Sequence, residues 1–150
     1  MEITSKAIER LYPWVISIIV FLLSWFLNVN IARIEQLPSI MANAITVAAI
    51  FIGFMGAMAG IILGSNSKVI QFMKRIGKLP YLLSFIWISI ISSFLFLFVS
   101  FFIQLFPNVP AQYYLISPLW LSIGTLSVFC TFRGIHITIT LISSMINSSE

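Results

Sequence analysis

The sequence predicts an all-α integral membrane protein, a single domain over residues 1–150 built as a four-transmembrane-helix bundle with both termini cytoplasmic. Three observations carry this. Of the 150 residues, 60% are hydrophobic and only 8% charged, where a soluble domain carries roughly 25% charge. Charge-free apolar runs recur, each near the roughly 20 residues that a spanning helix needs. The basic residues gather on one side of those runs, the pattern that sets orientation in membranes.

The first span is expected over about 12–31. A polar lead with Lys6 and Arg10 precedes it, and Trp14 to Leu27 carries no charge. Trp14 and Trp25 stand near its ends, where amphipathic rings favour the interface. No small-x-small cleavage site follows, so a cleaved signal peptide is not expected. A polar link, 28–39, holds Arg33, Glu35 and Pro38.

The second span, 40–63, carries a stripe of small residues: Ala42, Thr46, Ala49, Gly53, Gly56, Gly60 and Gly64. Their spacings of four and three place them on one helical face. Each glycine weakens a helix in water by roughly 1 kcal/mol relative to alanine. In lipid, a face without side chains lets another backbone approach closely. Ala49, Gly53, Gly56, Gly60 and Gly64 are therefore candidate packing and oligomer residues. Two neighbours fit them: another helix of the same chain, or a second copy around a symmetry axis.

The loop 64–79 interleaves Lys68, Lys74, Arg75 and Lys78 with Val69, Ile70, Phe72, Met73 and Ile76. It reads as a short interfacial helix or a helical extension beyond the lipid, with Gly77 and Pro80 as its stop. Those four cations fit anionic lipid, at roughly 1 kcal/mol each, or a cytoplasmic partner protein. The third span, 81–106, ends before Pro107 and Pro110. Its polar stripe is Ser89, Ser93, Ser100 and Gln104, with Ser84 and Ser92 nearby. Such serines bond back to the preceding turn or join helices; alternatively they form the weakly polar wall of a pore. The fourth span, 114–132, adds Ser117, Ser122, Gly124, Thr125, Ser127 and Thr131. Ser89, Ser93, Ser100 and Thr131 are the candidate pore lining.

An amphipathic or helical tail, 133–146, begins with Arg133 and His136. Arg133 either marks the inner boundary and contacts phosphates or, if the helix stays in the core through Ile142, both residues form a gate or proton sensor. By charge placement, Lys6, Arg10, Lys68, Lys74, Arg75, Lys78 and Arg133 lie on one side and Arg33 on the other, seven against one.

The net charge of +4 then reports topology and anionic lipid, not nucleic acid. The lone Cys130 excludes an intrachain disulfide and a multi-cysteine metal site. Glu2, Glu9, Glu35 and Glu150 all fall outside the spans, unlike the embedded carboxylate of ion-coupled carriers. A single histidine without an acid or cysteine nearby supports no triad. No catalysis, metal or cofactor is expected.

The run MGAMAGIILGSNSKVIQFMKRIGKLPYLLSFIWISIISS, Met55 to Ser93, joins a small-residue helix ending in Leu-Gly-Ser to a basic loop and a serine-bearing helix. Gly134-Ile135-His136-Ile137-Thr138 follows a glycine- and serine-bearing fourth helix. This combination resembles the four-span phage-exclusion proteins of the RexB type, and its layout is similar to the KwaA-type membrane component of Kiwa anti-phage systems. The resemblance covers the last two thirds of the chain. It implies a bacterial inner-membrane component of anti-phage defence: a homo-oligomeric pore that dissipates ion gradients, or a membrane sensor that recruits a cytoplasmic partner. The alternative is an immunity or accessory protein that blocks a toxin or a larger membrane complex. A holin is disfavoured, because the tail after Arg133 lacks a run of charges.

Overall fold

A computed structural model describes residues 2–31, 34–64, 68–75, 77–106 and 115–146, with side chains except those of 2–10, 68, 69, 72, 78, 141, 142 and 144–146. Among the described residues there is no strand. The helices among the described residues are, in chain order, α1 (Glu2–Phe26), α2 (Leu37–Gly64), α3 (Lys68–Arg75), α4 (Lys78–Leu105) and α5 (Ile116–Ile146). Three stretches are long and apolar enough to cross a membrane: Leu37–Gly64, Leu79–Leu105 and Ile116–Thr140. In lipid a helix satisfies its own backbone, which is why these runs can fold in no other open form. The apolar part of α1, Leu11–Phe26, is shorter.

The element bounds depart from expectation for local reasons. The polar lead is helical from Glu2 and runs on through Pro13. The helix then stops at Phe26, short of the expected Ile31. Asn28 adopts the left-handed region at φ 51°, which asparagine tolerates better than most residues. Val29 N–H donates to the Ser24 carbonyl at 2.9 Å and Asn28 N–H to that of Trp25 at 3.1 Å, closing the helix in a Schellman turn. Pro80 is not a stop but lies in the first turn of α4, where its missing N–H costs nothing. Gly77 makes the turn between α3 and α4, at φ 66°. No break separates the fourth span from its tail: α5 is one helix of 31 residues. Arg33, Pro107 and Pro110 lie outside the described residues.

The long helices pack side by side in the order α1, α5, α4, α2. α2 buries Met41, Ala48, Met55 and Ile62, a seven-residue repeat that keeps one seam facing its neighbour. Two apolar clusters fill the bundle. At one end Ile31, Leu37, Met41, Phe96, Ile103 and Trp120 meet. At the other Met55, Ile62, Met73, Leu82 and Ile86 do. The link between α1 and α2 is tied to α5 where Ile31 N–H donates to Ser117 Oγ at 3.2 Å.

Candidate functional site

The polar groups at membrane depth collect on the seam between α4 and α5. The hydroxyls of Ser89 and Thr131 lie 2.8 Å apart, as do those of Ser93 and Ser127. Trp120 Nε1 donates to Ser100 Oγ at 2.8 Å. As one number of each pair rises the other falls by the same amount, so the helices run antiparallel in one fixed register. All four candidate pore-lining residues are thus brought together, 0–3% exposed, on one seam. Gln104 is exposed and takes no part; Ile103 fills its turn. In this arrangement the hydroxyls satisfy one another, and such bonds between membrane helices are worth about 0.6 kcal/mol each on average.

Sequence reasoning named polar residues on both sides of this seam, Thr131 and Ser127 of α5 among them, and missed Trp120 as a partner. The signal lay in α5, where Ser117, Trp120, Gly124, Ser127, Thr131, Gly134 and Thr138 alternate by three and four and are all buried. Here, too, are the close glycine contacts. A Cβ at Gly124 would stand 2.8 Å from Phe96 Cε2, and one at Gly134 would stand 3.0 Å from Met55 Cε.

The glycine stripe of α2 is elsewhere. A Cβ added at Gly53, Gly56, Gly60 or Gly64 meets nothing within 4 Å, and Ala49 is exposed. The reading that this face packs on another helix of the same chain is therefore corrected. The large apolar side chains Met41, Met55 and Ile62 win the contact with α4, because they bury more area than a glycine face can. The small residues are left pointing out of the bundle.

Arg133 and His136 separate. Arg133 is 5% exposed, its guanidinium carbon 3.9 Å from the centre of the Phe85 ring, a cation–π contact. Nε and Nη2 are sealed from solvent. His136, one turn further, is exposed, so the two are not buried as a pair. A cavity of about 270 Å³ lies beside them, lined by Tyr12, Phe132, Arg133, His136 and Ile137.

α3 lies against the bundle through Met73, 3% exposed, and Ile70. Lys74 and Arg75 point outward. The side chains of Lys68 and Lys78 lie outside the described ones. The amphipathic pattern of the loop thus turns its apolar side to α2 and α4, with two of its cations free to meet a surface or a partner.

Compared with known families, curated proteins and solved structures, the chain matches no family model, no curated protein and no solved structure.

Proposed function

We propose that the protein is a multi-pass component of a bacterial inner membrane that self-assembles through α2 and serves phage defence by dissipating ion gradients. The observation that carries the assembly is the outward face of α2. A Cβ added at any of its four glycines meets nothing within 4 Å and Ala49 is exposed, and lipid alone gives no reason to forgo side chains there. Gly56 and Gly60 set how closely a second copy approaches. In this reading α1 is the fourth span and both termini are cytoplasmic, which places the basic α3 on the inner surface.

The α4–α5 seam supports a closed-to-open change. Its hydroxyls bond one another when closed and can bond water when parted, so the exchange of partners is close to neutral. An apolar seam would lose far more on hydration. Ser89, Ser93, Ser100 and Thr131 become the lining of the opened path, and Arg133 and His136 stand toward its inner end. The defence setting rests on the resemblance of Met55 to Ser93 and of Gly134 to Thr138 to exclusion proteins of the RexB and KwaA types.

The exposed Lys74 and Arg75 favour a second reading, in which the assembly is a platform for a cytoplasmic protein and α3 is its dock. The test is overproduction in cells loaded with a potential-sensitive dye. A pore collapses the potential and arrests growth. A harmless protein that protects cells only against a cognate toxin is an immunity protein, and the pore reading falls.

A further inference from the structure

The cations of α3 belong neither to the polar seam nor to the small-residue face of α2. We infer that α3 lies on the membrane surface and binds the phosphates of anionic phospholipids there, with Lys74 and Arg75 as its contacts. This rests on the three apolar helices crossing a membrane, and on neither conduction nor self-assembly.

The links come first. Three residues separate α3 from Gly64 at the end of α2, and two separate it from Lys78 at the start of α4. At no more than about 3.6 Å per residue, Arg75 stands within about 14 Å of Leu79, where the apolar span begins. Packing shortens that reach. Met73, 3% exposed, is buried in one cluster with Ile62 of the last turn of α2 and with Leu82 and Ile86 of α4. Gly77 N–H donates to the Lys74 carbonyl at 3.3 Å, which closes the turn into α4. α3 is thus laid along the ends of the spans instead of standing off in water. Tyr81, the third residue of the span Leu79–Leu105, marks the same level, since amphipathic rings favour the headgroup region.

Charge agrees with that position. The loop 64–79 carries four cations and no acid. Lys74 and Arg75 are exposed, and neither side chain has a hydrogen-bond or ion-pair partner among the described residues. Guanidinium and ammonium groups at that depth meet lipid phosphates. An acidic cytoplasmic protein would match the charge equally well. It would need the cations clear of the bilayer, however, and Met73 holds them at its edge. Ile70 and Met73 are taken up by the bundle, so α3 has little apolar surface left to insert. The attraction is electrostatic, and salt should weaken it.

The test uses the full chain in mixed nanodiscs of phosphatidylglycerol and phosphatidylcholine, with the retained lipids read by native mass spectrometry. Phosphatidylglycerol should be retained in preference. That preference should fall about fivefold in Lys74→Gln, and further when Arg75→Gln is added. Equal retention of the two lipids, or an unchanged preference in the double variant, would overturn the proposal. A second measurement separates a lipid surface from a protein partner. A fluorophore on Lys74→Cys, in a Cys130→Ser chain in the same nanodiscs, should be quenched by a lipid carrying a headgroup nitroxide. Quenching by acrylamide but not by that lipid would put α3 in water and overturn the assignment in favour of a protein dock. Neither readout depends on whether the protein conducts ions or on how many copies assemble.

Discussion

The hydroxyls of Ser93 and Ser127 sit 2.8 Å apart with neither residue exposed, midway along the contact of α4 with α5. Each gives the other the partner that lipid cannot. Replacing Ser93 with alanine should cost about 0.6 kcal/mol, and no more than about 1.7, because Ser127 can turn back to its own helix. A double-mutant cycle with Ser127→Ala, read by unfolding in mixed micelles, should return a coupling of that size. A coupling of zero would mean that the two helices are held by shape alone.

Two glycines of α5 should respond differently to the same added methyl. At Gly124 the obstacle is the ring of Phe96, 2.8 Å away, a rigid group that must shift as a whole and lies against Trp120, ring centres 5.6 Å apart. Gly124→Ala should therefore destabilise by about 1–3 kcal/mol. At Gly134 the obstacle is the terminal methyl of Met55, which can swing aside, so Gly134→Ala should cost less than about 1 kcal/mol. Unfolding midpoints in detergent decide between them. The reverse order would place the tight contact at the wrong glycine.

The stripe on α2 predicts the opposite of a core effect. An added Cβ at Gly56 or Gly60 meets nothing within 4 Å, so Gly56→Leu with Gly60→Leu should leave the single subunit folded with its stability unchanged or slightly raised, since leucine is the better helix former. The assembly should fall apart on native gels. A complex of unchanged mass would leave the glycines without the role assigned to them.

Much of this was legible in the chain, and the rest was hidden for definite reasons. The helices follow from apolar runs, and the polar seam, save Trp120, from serines and threonines standing out against apolar neighbours. The face by which α2 packs on α4 was not readable. Every residue from Met41 to Leu63 is apolar, small or both save Asn43 and Thr46, so Met41, Ala48, Met55 and Ile62 had no polar background to contrast with. The same uniformity made the glycines look like an internal contact. Asn28 carried the stop signal of α1, but an asparagine at a span edge also suits a link. The burial of Arg133 turned on whether α5 continued past Phe132, and Gly134, tolerated within a helix at about 1 kcal/mol, concealed that it does.

Neutralising Lys74 and Arg75 with glutamine separates the two proposed modes of action. Both side chains are exposed while Met73 holds α3 in place, so the fold should survive. A platform loses its cytoplasmic partner in pull-down from detergent extracts. A pore keeps its dye-reported depolarisation. Loss of depolarisation with no change in expression would tie α3 to conduction and contradict this separation.

The central claim is that α2 meets a second copy through its small-residue face. It is tested most directly by single cysteines in a Cys130→Ser chain, oxidised in native membranes. Gly56→Cys and Phe54→Cys both point out of the bundle, but only the first lies on the stripe. The account predicts a disulfide-linked dimer from Gly56→Cys and little from Phe54→Cys. A dimer from both to the same extent, or from neither, would contradict it.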